Sequence, residues 1–285
     1  MKKHYAFLIM ALVATLTACG NDPQNLVDLN GDEASIINGS KVTVRENDGA
    51  KGVVLFLPVN GLGMATGICT ATLLSDHSVL TAAHCYDKKN NKTLAGFKII
   101  FANSKGIATR DSLKREGTHV VPHEGFRKSR VGLLNDLAIA FFEGGIPDGF
   151  EPVEIERDQT VNYQNRFLNI YGYGKKNDSR EIFALGHGSA GQLYKANIKL
   201  NGGYGLMQDR YALISNGNHQ FVCSGDSGSG QFLTINGKPR LIGVTSSVTG
   251  KKDFFGHVSC TEGRSTAMKV AYYAKWIDEV HSGAR

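Results

Sequence analysis

The chain has 285 residues, of which 41% are hydrophobic, so it can bury a sizeable core as one large domain or two small ones. Its formal net charge is +6, but the lysines and arginines are dispersed and form no basic stripe interleaved with aromatic residues, which excludes nucleic-acid binding as the main role. The 34 glycines favour a turn-rich, all-β protein.

Residues 1–18 predict an export signal. Lys2 and Lys3 form a basic start, and the apolar run at residues 5–16 is too short to cross a bilayer comfortably. The run leads into Leu-Thr-Ala-Cys19, which resembles the lipobox of bacterial lipoproteins. The resemblance implies lipid on Cys19 and export to a bacterial outer membrane or cell surface. The alternative is an ordinary signal peptide that happens to end near a cysteine.

After a polar, aperiodic tether or pro-segment at residues 19–35, short apolar runs alternate with turn signals, which is typical of β-strands. The predicted strands are residues 53–57, 70–74, 78–81, 97–101, 137–142, 167–171, 211–214, 230–235 and 241–246. Residues 268–281 have a helical period, with Val270, Tyr273 and Ile277 on one face. The sequence therefore predicts many short antiparallel strands closed by one C-terminal helix.

Five cysteines are present, and if Cys19 carries lipid, four remain that an exported protein can oxidise into two disulfides. The four are Cys69, Cys85, Cys223 and Cys260, and three pairings are open. Zinc is the alternative, but no C-x-x-C or paired Cys/His spacing supports it, so we predict no metal and no cofactor. His119 and His123 form no helical ligand pair, because Pro122 prevents the helix.

Three separated segments carry the residue types of a nucleophilic relay. Ser227 lies in the glycine-rich stretch 223–230, where tight turns can leave N–H groups beside a hydroxyl. His84 ends an apolar strand, and Asp136 lies at the mouth of another. Each residue alone is more typical of a turn or a strand end. Together they predict that His84 takes the Ser227 proton while Asp136 fixes the imidazole tautomer.

These segments resemble the three catalytic blocks of the trypsin/chymotrypsin serine endopeptidases, peptidase family S1. The blocks are Thr-Ala-Ala-His-Cys at 81–85, Asn-Asp-Leu-Ala at 135–138 and Gly-Asp-Ser-Gly at 225–228, in the chain order of that family. The resemblance extends over residues 36–281. It implies two six-stranded antiparallel β-barrels, at about 36–150 and 151–267, followed by the helix 268–281, with the active site between the barrels.

The resemblance also assigns roles to single residues. It implies an oxyanion hole formed by the N–H groups of Gly225 and Ser227, and a contact of Ser246 with the catalytic aspartate. The segment Tyr-Gly-Tyr173-Gly resembles the x-Gly-Trp-Gly of the family, with Tyr in place of Trp. The implied disulfides are Cys69–Cys85, around the catalytic histidine, and Cys223–Cys260, which flanks the specificity pocket.

Three implied pocket positions depart from the trypsin pattern. Phe221 lies where trypsin-type members carry an acid, so it cannot pair with Lys or Arg, and Val248 and Ser265 lie where pocket-wall glycines are common. A bulky floor and a branched wall predict a shallow apolar pocket for small or aliphatic residues. Two alternatives stay open: Phe221 faces away after loop repacking, or His257 near the wall favours an acidic residue.

Ile36 resembles the mature N-terminus of the family, whose freed ammonium pairs with the acid before the nucleophile, here Asp226. Residue 35 is Ser, so a trypsin-like activator is not expected. Since the pocket is expected to accept small residues, autolysis after Ser35 is a hypothesis. The same cut would release the enzyme from the lipid on Cys19.

The sequence therefore predicts an exported serine endopeptidase that cleaves proteins or peptides through an acyl-enzyme. We expect a monomer that contacts a membrane only through the Cys19 lipid. One alternative is a catalytically silent member of the family that serves as a binding or adhesion module, which the intact His84, Asp136 and Ser227 disfavour. The other is an esterase that uses the same relay on a non-peptide ester.

Overall fold

The computed structural model describes residues 36–104, 111–130, 132–163, 165–175, 190–203, 210–213, 220–249, 259–261 and 264–283. The predicted signal peptide, the tether at 19–35 with Cys19 and Ser35, and His257 lie outside the described residues. Within these ranges, no helix is long and apolar enough to cross a membrane.

The described residues form antiparallel strands and one α-helix. The strands are β1 (Ser40–Lys41), β2 (Val53–Asn60), β3 (Cys69–Leu73), β4 (Ser78–Thr81), β5 (Leu94–Ile100), β6 (Lys114–Pro122), β7 (Arg127–Ser129), β8 (Gly132–Leu134), β9 (Ala138–Phe142), β10 (Phe167–Gly172), β11 (Tyr194–Gly203), β12 (Arg210–Leu213), β13 (Gly230–Ile235), β14 (Lys238–Thr249) and β15 (Arg264–Lys269). The helix is α1 (Val270–His281).

The first barrel is a closed ring of six strands in the order β2-β3-β4-β9-β6-β5. Successive side chains of a strand point to opposite faces, and β2 is buried on both. Val54 and Phe56 pack into one apolar cluster with Ala71, while Val53 and Leu55 join a second cluster that also contains residues of the other barrel and of α1. The wall of this barrel is therefore also part of the contact with the second barrel.

The second sheet has seven strands in the order β1-β11-β10-β13-β14-β15-β12. Pairing of β11 with β12 brings six of them into a barrel-like ring, and β1 is added at the edge of β11. Its apolar cluster includes Ile36, Leu168, Ile170, Val222 and Ile242. The predicted all-β architecture is confirmed, with one closed six-stranded barrel and one barrel-like sheet.

Helix α1 closes the fold against the cluster shared by the two sheets. Val270, Tyr273 and Ile277 are buried there, as their spacing predicts. Tyr273 also donates from its hydroxyl to Asn135 Oδ1 at 3.0 Å, next to Asp136. The helix begins at Val270 rather than at residue 268, because Met268 still pairs with β14.

Candidate active site

His84 and Asp136 are brought together by the pairing of β4 with β9. His84 lies in the short 3₁₀ helix Ala83–Tyr86 that follows β4, and Asp136 lies just before β9. The end of β4 faces the start of β9, with Thr81 opposite Ala138. His84 Nδ1 consequently lies 2.8 Å from Asp136 Oδ2.

Asp136 is fully buried, and three hydrogen bonds hold its carboxylate in place. Oδ2 accepts from His84 Nδ1 at 2.8 Å and from Ser246 Oγ at 2.5 Å, while Oδ1 accepts from the backbone N–H of His84 at 2.9 Å. Because a carboxylate can only accept, Nδ1 of His84 carries the hydrogen and Nε2 keeps its lone pair. The imidazole is thus held in the tautomer that can receive a proton at Nε2.

The pKa of His84 lies above its ordinary value. Burial disfavours the charged ring, but Coulombic attraction to Asp136 and the hydrogen bond to it outweigh that penalty. The charge of Lys128 lowers the pKa of His84, and the charge of Asp87 raises it. An arrangement that stabilises imidazolium suits a base that must hold a proton briefly during a reaction.

The loop that carries Ser227 is fastened to both barrels. The carbonyl of Ser227 accepts from the N–H of Thr70 in β3 at 2.8 Å. The N–H of the next residue, Gly228, donates to the carbonyl of Thr245 in β14 at 2.7 Å. Ser227 is therefore held at the junction of the two barrels.

Two glycines of this loop are needed for its path. Gly225 and Gly228 have φ of 101° and 82°, a region that other residues rarely adopt. A Cβ on Gly228 would lie 2.2 Å from the carbonyl oxygen of Thr70, and one on Gly225 would lie 2.7 Å from Gly174 Cα. No side chain fits at either position without moving the backbone.

Two N–H groups beside Ser227 are available to a ligand. The carbonyl of Ser224 accepts from the N–H of Lys175 at 2.8 Å, and because the peptide is trans, the N–H of Gly225 points the opposite way. Across the described part of the chain, neither Gly225 N–H nor Ser227 N–H has a hydrogen-bond acceptor. Such a pair of free donors can stabilise an oxyanion.

His84, Ser227 and Gly225 line one cleft of about 560 Å³. The His84 side chain is 26% exposed there, so its ring is accessible. Considering the described residues only, no hydrogen bond joins the His84 ring to the Ser227 hydroxyl. Catalytic hydrogen bonds are often long before a substrate binds, so the absence of this bond is compatible with an active site that holds no substrate.

Asp226 is fully buried beside the same loop. Its carboxylate accepts from the N–H groups of Gly174 and Cys223, each at 2.8 Å. A Cβ on Gly172 or Gly174 would come within 2.1 or 2.5 Å of this carboxyl group, so the two glycines make room for it. Burial raises the pKa of Asp226 to about 7 despite the two hydrogen bonds.

Ile36 is fully buried in the apolar cluster of the second sheet, and it has a φ of 50°. Ile37 and Phe221 exchange backbone hydrogen bonds of 2.9 and 3.1 Å. The start of the described chain is therefore fixed next to the segment that leads to Asp226. A positive φ is unusual for a β-branched residue and costs about 1–3 kcal/mol.

The three predicted pocket residues are not all brought together. Val248 and Ser265 are paired across β14 and β15. Phe221 packs in a different apolar cluster, against Ile37 and the Cys223–Cys260 disulfide. Phe221 and Val248 therefore pack in different clusters, as we would expect if Phe221 faces away from the pocket.

The cysteines form the disulfides Cys69–Cys85 and Cys223–Cys260, the two pairs that the resemblance implies. Donor atoms of Cys69, Cys85 and His84 lie within 4.8 Å of one another, which is metal-site spacing. Both sulfurs are bonded to each other, however, so neither is a thiolate ligand.

An arginine that the sequence reading did not single out supports the site. Tyr173, in the place of a tryptophan, donates from its buried hydroxyl to the carbonyl of Ala102 at 2.7 Å and accepts from Arg45 Nη2 at 2.9 Å. Arg45 Nε also donates to Asn103 Oδ1 at 2.9 Å. Arg45 lies far from the three catalytic blocks in the sequence, and these two side-chain partners are 58 and 128 residues away in the chain, so nothing in the sequence indicated this link.

Comparisons with known proteins indicate the family of the chain. A family model described as Trypsin matches residues 43–277. CLIP domain-containing serine protease B15 of Anopheles gambiae is 25% identical over 240 residues, 74% of this chain and 61% of that protein, so the chain spans less than two thirds of its length. Chymotrypsin-like elastase family member 1 of Felis catus is 23% identical over 279 residues, 94% of this chain and 97% of that protein.

Among solved structures, the scabies mite inactivated protease paralogue S-D1 is similar with a TM-score of 0.63 and 18% identity. The match covers 87% of this chain and 98% of that chain. At this identity the likeness shows the fold alone.

Proposed function

Because the family model covers most of its length, the chain belongs to the trypsin family, and we propose that it is a serine endopeptidase with Ser227 as nucleophile, His84 as base and Asp136 as orienting acid. The observation that carries the proposal is the Asp136–His84 hydrogen bond of 2.8 Å at a cleft that Ser227 also lines. The two free N–H groups beside Ser227 support it independently.

In this mechanism Ser227 Oγ attacks the carbonyl carbon of the peptide bond while His84 Nε2 takes its proton. Asp136 holds Nδ1 and stabilises the imidazolium. The N–H groups of Gly225 and Ser227 donate to the oxyanion, and loss of one such donor typically costs about 100- to 1,000-fold in rate. His84 then protonates the leaving amine, and the acyl group on Ser227 is hydrolysed by water through the same relay.

We further propose that the residue before the cleaved bond is small or aliphatic rather than Lys or Arg. Phe221 stands where trypsin-type members carry the acid that would pair with Lys or Arg, so this position offers no negative charge wherever its ring packs. The branched Val248 pairs with Ser265 across β14 and β15, where glycines would leave more room for a long side chain. A peptide-library cleavage profile tests both the activity and this preference. We expect cleavage after small or aliphatic residues, and none with the Ser227→Ala variant. Cleavage after Lys or Arg would contradict the pocket proposal, and hydrolysis of esters alone would favour an esterase.

A catalytically silent binding module is the second candidate. Among the described residues no hydrogen bond joins the His84 ring to the Ser227 hydroxyl, and an inactive site and a resting enzyme can both have this geometry. A correctly folded and processed sample that cleaves no peptide of the library would support this candidate over the enzyme.

We propose that the chain is exported and anchored through lipid on Cys19, with release by cleavage between Ser35 and Ile36. Its two disulfides indicate folding in an oxidising compartment. N-terminal analysis of membrane and soluble fractions tests this. We expect Cys19 at the start of the membrane-bound form and Ile36 at the start of the soluble form. The reverse distribution would contradict the proposal.

We also propose that a freed Ile36 ammonium pairs with Asp226. The φ of Ile36 is defined by the peptide bond to residue 35, so a cut there removes the strain associated with its value of 50°. Asp226 has only backbone N–H partners among the described residues, and a buried carboxylate is costly without a cation.

This pairing predicts a pH-dependent effect of cleavage on stability. The pKa of Asp226 is raised to about 7 in the folded chain, well above the ordinary value of an aspartate, so in the uncleaved chain its contribution to stability falls as pH rises from about 4 to about 7. The ionised, unpaired carboxylate then lowers the free energy of unfolding by about 4 kcal/mol in total, since one pKa unit corresponds to about 1.4 kcal/mol. Cleavage should therefore raise the melting temperature by up to about 10 °C more at pH 8 than at pH 4.

The measurement compares thermal unfolding of a Ser227→Ala chain that retains residues 20–35 with one that begins at Ile36. Asp226→Asn in each background is the control, because it removes the titrating group. An equal effect of cleavage at both pH values, or the same pH dependence in the Asp226→Asn pair, would contradict the ion pair.

A further inference from the structure

A second cavity, of about 740 Å³, adjoins the active-site cleft on the first barrel. It lies between the segment that follows His84 and the segment that leads into β7, with β5 and β6 behind it. Its lining includes the apolar side chains of Phe97, Val120 and Phe126. The volume is within the usual range for ligand pockets, about 300–1,000 Å³.

Four exposed cations surround this cavity. They are Lys88, Lys89, Arg127 and Lys128. Judged against the described residues, none of the four forms an ion pair with a carboxylate. Elsewhere on the surface, Lys51 pairs with Glu151 at 2.7 Å and Lys195 with Asp48 at 2.6 Å.

The carboxylates at the cavity do not balance these cations. Asp87 Oδ1 accepts from the backbone N–H groups of Lys89 and Asn90 at 3.2 and 3.3 Å, and its Oδ2 accepts from the Asn90 side chain. Glu124 Oε2 lies 4.0 Å from His123 Nδ1. Among the described residues that line the cavity, four are cations and two are carboxylates, so these side chains give the rim a net positive charge.

The cavity and the cleft share one edge. Asp87, Asn90 and Lys128 line both of them, and the cleft also holds His84 and Ser227. The charge of Lys128 lowers the pKa of His84, as expected for two side chains that line the same cleft. A polypeptide that lies across Ser227 and passes Lys128 would therefore enter the cavity.

We propose that this cavity binds an acidic stretch of the polypeptide substrate, one that combines Asp or Glu with an apolar side chain, while the adjacent bond is cleaved at Ser227. The inference rests on the proposed endopeptidase function and names its substrate class. Carboxylates match the unpaired cations of the rim, and the apolar side chain matches Phe97, Val120 and Phe126. A sulfated polysaccharide would match the cations but not this apolar lining.

The test uses two peptides with one cleavable bond and a flanking segment that contains either Glu or its uncharged isostere Gln, with one Leu in both. We expect kcat/KM at low ionic strength to be about tenfold higher for the Glu peptide, mainly through a lower KM. An exposed charge pair is worth a few tenths to 1 kcal/mol, so Lys128→Gln and a Lys88→Gln, Lys89→Gln variant should each reduce this ratio about two- to fivefold. About 0.5 M salt should nearly abolish it.

Lys275→Gln is the matched control, because its side chain is 91% exposed on α1 and the charge change is the same. It should leave the Glu/Gln ratio unchanged. An equal kcat/KM for both peptides, or a ratio that Lys275→Gln reduces as much as Lys128→Gln does, would overturn the proposal.

Binding to the Ser227→Ala chain, measured by fluorescence anisotropy of the labelled peptides, separates this proposal from the proposed function. If no peptide is cleaved by the unmodified chain but the Glu peptide binds more tightly in a Lys128-dependent manner, the endopeptidase proposal fails and the acidic site stands. Equal Kd values for the two peptides would overturn the site. Lysine-dependent binding of a sulfated polysaccharide without a preference for the Glu peptide would also overturn it.

Discussion

Ser227→Ala is expected to lower kcat for peptide hydrolysis by about 10⁶-fold, and His84→Ala by a similar factor, because residues that act as one relay lose nearly everything when either is removed. The double variant should be no slower than either single variant. Without His84 the hydroxyl of Ser227 is a weak nucleophile, and without Ser227 the imidazole has no proton to accept. Steady-state kinetics with one peptide substrate measures all three.

His77→Ala is the control for loss of an imidazole. His77 is exposed and pairs with Asp76 at 2.6 Å, away from the cleft, so this variant should keep full activity. Multiplicative losses in the double variant, about 10¹² if measurable, or a Ser227→Ala enzyme with substantial activity, would rule out the relay.

Asp136→Asn is expected to lower kcat by about 10⁴-fold without unfolding the chain. The backbone N–H of His84 is a fixed donor 2.9 Å from Oδ1 of Asp136, so the oxygen of the new amide must face it. The NH₂ group then faces His84 Nδ1 and makes that nitrogen the acceptor. The ring hydrogen moves to Nε2, which can no longer take the proton of Ser227.

Asp87→Asn separates this tautomer effect from the loss of a nearby charge. Asp87 lines the same cleft and raises the pKa of His84. Its carboxylate, however, accepts hydrogen bonds from the backbone N–H groups of Lys89 and Asn90 and none from His84. This variant should change kcat only a few-fold. Similar losses for Asp87→Asn and Asp136→Asn would show that charge, and not the hydrogen bond to Nδ1, matters.

The local pattern of the sequence accounts for much of the fold. Strands β4 and β13 have the predicted bounds, because each is a short apolar run between turn signals. Strand β11 was not predicted, although Ala196, Ile198 and Leu200 are buried and alternate with more exposed residues. The period of two is present in the sequence itself, as Ala, Ile and Leu at alternate positions.

Strand β6 could not be predicted in the same way. Its side chains are half-buried or exposed, so hydrophobic alternation is weak, and it contains Gly117 and Pro122. Gly117 is required because a Cβ there would lie 2.1 Å from the ring of Phe97. The partner strands β5 and β9 determine this strand, and such pairing is not a local property of the sequence.

In the candidate site, too, the residue types follow from the local sequence, whereas their arrangement follows from long-range contacts. His84, Asp136 and Ser227 could be proposed from residue type and order alone. Their approach depends on the register of β4 against β9 and on backbone bonds of the Ser227 loop, which are long-range. The same holds for the edge shared by cleft and cavity at Lys128, because it arises from segments about 40 residues apart in the chain.

Covalent labelling tests the central claim most directly. A fluorophosphonate probe reacts with a serine only when a base and an oxyanion hole activate it. Applied to the chain that begins at Ile36, followed by peptide mass spectrometry, it should add one phosphonyl group at Ser227 and none in the His84→Ala variant. An unlabelled Ser227 in folded, processed protein, or labelling at another residue, would contradict the assignment of this chain as a serine endopeptidase.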